Sequence, residues 1–207
     1  MANKVWLIDG GHGGMFKGEY TTAPEKMYEF PGGQVAYEGV LNRAFKMALM
    51  NAMDDEGFAY IDVSGSELDI PLDERVDIIN RLYQQYPQAC SIHIHNNASP
   101  KHNAGGSEVW TSVGQTKSDL HAKIYAECFQ AEIPELPFRI DSKTGEVDKE
   151  SMFYVLKWTK CPAFLPEIGF FDYYPDFELL NDLEFQYRWA GVMIEYMKRA
   201  VVTAGIF

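Results

Sequence analysis

The sequence predicts one α/β domain: a twisted, mostly parallel sheet flanked by helices. Two patterns carry this expectation. Short apolar runs that read as strands alternate with stretches of helical period, the order that builds layered sheet-and-helix domains. The chain also has 207 residues, 46% of them hydrophobic and 14% aromatic, enough for one good core. No internal repeat or long linker divides it, so a single domain is expected over 1–207.

Taken in order, strands are expected at residues 4–9, 58–63, 89–95, 108–112 and 163–167. The first enters the stretch VWLIDGGHGG, where four glycines surround His12. Glycine is suited to positive φ and to close backbone approach, so His12 is expected on a tight turn at a strand end, facing a space. Val40, Ala44, Met47 and Ala48 repeat at helical spacing, residues 73–86 and 118–130 look similar, and 176–202 reads as one long last helix. The segments from Met15 to Gln34 and from Ile133 to Glu150 are rich in Gly, Pro and charge and read as long loops of the kind that form functional rims.

The net charge of −12 argues against nucleic acid or an anionic membrane surface as partner. No apolar run approaches the roughly 18 residues that membrane insertion requires. The opening MANKVWLIDGG has no apolar core with a small-residue cleavage site, so no secretory signal is expected. Cys90, Cys128 and Cys161 show no CxxC spacing and read as buried free thiols in a reducing compartment.

Three further stretches could carry chemistry. In CSIHIHNNAS, period-two alternation puts Ser91, His93 and His95 on one strand face and Ile92 and Ile94 on the other. Two histidines at a strand end suit a metal, or simply a hydrogen-bonded pair on a sheet face. Glu38, at the start of a helix, is favoured there by the helix dipole alone. Glu167 ends an apolar strand, where its pKa should rise as in general acids and bases, or where it could be a salt-bridged structural acid. Taken together these residues supply two histidines and a glutamate, the set that leaves zinc an open position, with a second glutamate free to move a proton. That is a complete kit for amide hydrolysis.

From about Val5 to Ala200 the chain resembles the zinc-dependent N-acetylmuramoyl-L-alanine amidases of the type-3 class, found in autolysins and phage endolysins. The family's D-P-G-H-G-G opening is met by Asp9 to Gly14, with Gly10 in place of proline. Glu38 and Asn42 match its helix-starting glutamate and the asparagine four residues on, and Arg75 and Asn80 match R-x-x-x-x-N. The most specific block, L-R-x-x-x-x-P-A-x-L-x-E-x-G-F, appears as Leu156, Lys157, Pro162, Ala163, Leu165, Glu167, Gly169 and Phe170.

The resemblance implies a phosphorylase/hydrolase-like fold, a Zn2+ cofactor held by His12, Glu38 and a third ligand, and Glu167 as catalytic acid/base. His95 fits as third ligand because Asn97, Ala98 and Gly106 then fall into register; His93 is the alternative. The implied substrate is the amide between N-acetylmuramic acid and L-alanine in peptidoglycan, with the muramoyl group and stem peptide as partners. The alternatives are a zinc carboxypeptidase or amidohydrolase acting on another acyl-amino acid, and an inactive binding module of the same fold. No cell-wall-binding domain is expected, and the route implied is cytoplasmic synthesis with action on the wall after phage- or lysis-mediated release. The stretch between His12 and Glu38 is longer than the family's and is expected to cover the site. His102 and His121 match nothing and read as surface residues.

Overall fold

A computed structural model describes residues 4–22 and 26–203. Parts of the N-terminal stretch read for a signal, of the segment from Met15 to Gln34 and of the C-terminus lie outside the described residues. The chain runs β1 (Trp6–Gly10), the hairpins β2 (Met15–Phe16) with β3 (Glu19–Tyr20) and β4 (Met27–Glu29) with β5 (Val35–Tyr37), then α1 (Glu38–Glu56) and β6 (Tyr60–Asp62). It continues through α2 (Leu72–Gln85), β7 (Cys90–Asn97), β8 (Glu108–Ser112), α3 (Lys117–Glu132), β9 (Asp148–Ser151) and α4 (Tyr154–Trp158). It ends in β10 (Ala163–Phe170), α5 (Tyr174–Leu180) and α6 (Leu183–Val202).

Six strands form one sheet in the order β6-β1-β7-β10-β8-β9. The first four are mutually parallel; β8 runs antiparallel to β10, and β9 pairs parallel with β8. The fold is therefore the expected α/β domain with a mostly parallel sheet. Strand alternation divides its side chains between two cores. Trp6, Ile8, Ile92, Ile94 and Phe164 pack with Phe45, Phe129 and Trp189 of α1, α3 and α6. On the other face, Val5, Leu7 and Ile79 of α2 form one cluster, and Val76, Val155, Leu156 and Leu165 form another. Because both faces are covered, β1 is buried along its whole length. Among the described residues, no helix is long and apolar enough to cross a membrane.

Several expectations need correction. The stripe read on α1 is off by one position. Val40 and Met47 are exposed, whereas Leu41, Phe45, Ala48 and Leu49 face the core. Apolar spacing misled here because Asn42, Arg43 and Lys46 are also buried, their side chains donating to the carbonyls of Gly11, His12 and Ser64. The last helix is two, because Asp182 ends the run and its carboxylate caps α6 by accepting from the Glu184 N–H.

The segment from Met15 to Gln34 is also more than a loop. Lys17 and Gly18, both at positive φ, make the two-residue turn of β2–β3, and Phe30 packs on Phe177 to anchor β4–β5 to the core. Within the stretch from Ile133 to Glu150, Phe138 bridges to Ser107 and Asp148 begins the edge strand β9. All three cysteines are free and buried, as expected.

Candidate active site

β1, β7 and β10 end on the same side of the sheet, where open α/β sheets place their ligands. β1 delivers His12 on a backbone turned to φ 61°, a conformation that costs energy for a residue with a Cβ. Two guanidinium groups hold it there: Arg43 Nη1 donates to the His12 carbonyl at 2.8 Å, and Arg75 Nη2 donates to the same oxygen at 3.0 Å. The glycines beside it make room. A Cβ on Gly11 would lie 2.1 Å from the His95 ring, and one on Gly39 would lie 1.8 Å from the Gly13 carbonyl oxygen. Gly10, where the family's usual residue is proline, donates its N–H to Ser64 Oγ at 2.7 Å, a bond proline cannot make.

Glu38 opens α1 and points its buried carboxylate at both imidazoles. Its Oε1 lies 2.9 Å from His95 Nδ1 and 3.2 Å from His12 Nε2. The rings stand edge to face with centroids 5.0 Å apart. Asn42, one turn along α1, donates to Gly11 O at 3.0 Å and reaches Glu38 Oε1 at 3.4 Å, while its own oxygen accepts from Asn96. Burial alone would raise the Glu38 carboxyl, but the hydrogen bonds from His12 and His95 outweigh it and hold the group well below the usual carboxylate range. Burial pushes the His95 imidazole down despite Glu38, which favours the neutral ring. The three ligand atoms lie within 4.8 Å of one another. Two imidazoles and a carboxylate held ionised, each with its own hydrogen-bonded support, are a donor set that fits zinc.

His93, on the same face of β7, belongs to a different cluster. Its Nδ1 lies 2.9 Å from Asp9 Oδ2 and its Nε2 lies 3.2 Å from Ser91 Oγ. Arg75 closes the other side of Asp9 at 2.5 Å. Both ring nitrogens of His93 are thus engaged, and the ring is fully buried.

Glu167 stands on β10 opposite His95. The residue is half-buried, yet Oε2 is shut from solvent and has no hydrogen-bond partner among the described residues. Burial, then the charges of Glu38 and Glu108, push its carboxyl well above the usual range. A cavity of about 410 Å³ joins His12, Glu38, His95 and Glu167, walled by Leu72, Phe153, Tyr154 and Phe171. An adjoining one of about 430 Å³ shares His12, Lys26 and His95 and reaches Thr22, Asp69 and Pro71.

Sequence reasoning did not find Lys26, 3.7 Å from Glu38 Oε2, or the aromatic wall at the start of α4. Five-residue α4 is too short for a periodic signal, and the exposed run Met152, Phe153, Tyr154 was the one available cue. The clamp of Arg43 and Arg75 on His12 was equally invisible, since both contacts cross more than thirty residues. The two histidines expected on the surface differ. His121 is fully buried, with Nδ1 2.6 Å from Tyr196 Oη, because α3 turns this position into the core. His102 is exposed, yet it stacks on Tyr28 with centroids 4.3 Å apart and sits 2.8 Å from Asp172.

Comparison with solved structures returns the same fold. An N-acetylmuramoyl-L-alanine amidase from Clostridium difficile is 21% identical, with a TM-score of 0.79 over 99% of this chain and 100% of that one. The catalytic domain of CwlV from Bacillus (Paenibacillus) polymyxa, also such an amidase, is 20% identical, with a TM-score of 0.75 over 97% and 99%. Ami1 from Mycobacterium smegmatis, an N-acetylmuramyl-L-alanine amidase, is 18% identical, with a TM-score of 0.76 over 96% of each chain. No curated protein sequence matches. The family model described as N-acetylmuramoyl-L-alanine amidase matches residues 7–198, nearly the whole chain, and the protein therefore belongs to that amidase family.

Proposed function

We propose that this chain hydrolyses the amide joining N-acetylmuramic acid to the L-alanine of the peptidoglycan stem, using zinc held by His12, Glu38 and His95. The observation that carries the reading is the meeting of three metal-ligand atoms within 4.8 Å, from the turn after β1, from α1 and from β7, beside a carboxyl oxygen on β10 with no partner among the described residues. Zinc bound there supplies Lewis acidity, polarising a carbonyl oxygen and acidifying water.

The chain's own groups do the rest. Arg43 and Arg75 fix His12 through its carbonyl, and Asn42 steadies Glu38 against Gly11. The aromatic wall of Phe153 and Tyr154 narrows the cavity and limits bulk water. Glu167 takes a proton from the attacking water and returns it to the departing alanine nitrogen. Its pKa is pushed upward by burial and by the charges of Glu38 and Glu108, the direction that suits a carboxyl asked both to accept and to return a proton.

Incubation with purified peptidoglycan tests the proposal. The expected products are stem peptides with new L-alanine amino termini and no new reducing sugar. Activity should disappear on chelation and return with zinc. Cleavage at another bond, or activity indifferent to chelator, contradicts it.

A further inference from the structure

We propose that Arg139, supported by Glu108 and Lys149, binds a free carboxylate on the peptide that leaves during hydrolysis. The inference rests on the amidase reading above and extends it to substrate recognition.

The sheet order sets the direction. The group that protonates the departing nitrogen must touch it, so the leaving peptide begins at Glu167 on β10. His12, just after β1, and His95, on β7, lie to one side; β8 and β9 lie on the other. The acyl part then falls toward the cavity near Thr22 and Asp69, and the peptide runs over β8 and β9.

Directly opposite Glu167 on β8 is Glu108, which is only 2% exposed. Its Oε1 accepts from Asn97 Nδ2 at 2.9 Å and Trp110 Nε1 at 3.0 Å. Its Oε2 accepts from Arg139 Nε at 3.1 Å and Lys149 Nζ at 2.5 Å. Two cations thus share one carboxylate oxygen, so Glu108 alone cannot satisfy both. Asp176, the other carboxyl that Arg139 influences, is turned to the N–H groups of Gly106 and Phe170.

Lys149 is largely covered, but the Arg139 side chain is 40% exposed. Arg139 spends Nε on Glu108 and Nη1 on the Gly105 carbonyl, and its guanidinium lies 5.1 Å above the Phe170 ring. These contacts orient the partly exposed guanidinium, whose planar form suits a carboxylate.

Continuity with the site is physical. Asn97 lines the cavity and binds Glu108, and Phe153 lines it and packs on Trp110 with centroids 5.2 Å apart. Strands lie ~4.8 Å apart and an extended peptide spans ~3.4 Å per residue, so a carboxylate on the second or third residue reaches this level.

Two synthetic muramoyl-tripeptides test the assignment, one with free carboxylates on the peptide and one with all of them amidated. Wild-type enzyme should prefer the free acid about tenfold in kcat/KM, mainly through KM, as expected for one charge-assisted contact. Arg139→Ala should bring that ratio near one, and Arg139→Lys should keep part of it. Released peptides assayed as competitive inhibitors of the wild type give the same comparison without a variant, the free acid binding about tenfold better. A wild-type ratio near one, or a ratio that Arg139→Ala leaves intact, overturns the subsite alone. A wild type inert toward both substrates overturns the amidase reading, and the subsite falls with it.

Discussion

β7 carries two polar clusters a few ångströms apart, and they are built to opposite ends. At the inner one, His93, Asp9, Ser91 and Arg75 satisfy one another, and no hydrogen-bonding atom of the His93 ring is left over. At the outer one, His95, His12 and Glu38 share a single carboxylate oxygen, and Glu167 keeps an oxygen with no partner among the described residues. A closed polar network rigidifies a core; an incomplete one holds the capacity to bind. The difference teaches that two histidines on one strand face differ in use according to which groups arrive from other elements.

The largest expected effect breaks the outer cluster. Glu167→Gln should lower kcat on the order of 10³-fold while zinc stoichiometry, read by metal analysis, is retained. The same variant should be more stable in the metal-free state. A folded-state pKa above the unfolded value contributes stability below the unfolded pKa and loses it as pH rises through the folded one, so near neutral pH the native carboxyl is a cost. A thermal midpoint that falls would contradict this.

Next comes the inner cluster. Arg75→Met should cost about 3–5 kcal/mol, because Asp9 would be left as a buried charge without its cation. Urea unfolding measures it. His93→Ala should cost less, about 1–3 kcal/mol, and leave zinc affinity nearly intact, whereas His95→Ala should abolish zinc binding at small cost to stability. Reversal of that pattern in zinc titrations would merge the two clusters into one.

Acid sharpens the contrast further. Burial would raise the Asp9 carboxyl, but the His93 hydrogen bond and the Arg75 charge reverse this and hold it far below its ordinary value. Its contribution is therefore fully present above about pH 4 and lost as pH falls through the folded value. In Asp9→Asn the unfolding midpoint should fall less steeply below pH 4 than in wild type.

The smallest effect concerns the thiols. Burial pushes Cys90 well above the usual range and Cys161 up to about 12, so thiol reagents at pH 8 should label neither in the native protein and both after unfolding.

The main sheet was legible because buried strands read as apolar runs, and the turn at His12 was legible because four glycines crowd around it. His12 follows β1, Glu38 starts α1 and His95 lies near the end of β7, as motif and alternation suggested, whereas Glu167, expected to end its strand, sits inside β10, which runs on to Phe170. Strand alternation left His93 and His95 equivalent, since both share a face, and only the family register favoured His95; what separates them physically is Asp9 on β1 and Glu38 on α1. The hairpins were read as loop because strands of two and three residues leave no period to detect. The α1 stripe slipped for a related reason: a helix that buries Asn42, Arg43 and Lys46 cannot be oriented by apolar residues alone.

Anomalous diffraction at the zinc edge, from crystals grown with zinc, tests the central claim most directly. One peak is expected about 2.0–2.2 Å from a nitrogen of His12, a nitrogen of His95 and an oxygen of Glu38, with His93 still bound to Asp9. A peak on His93, or none in this cavity, would contradict the account.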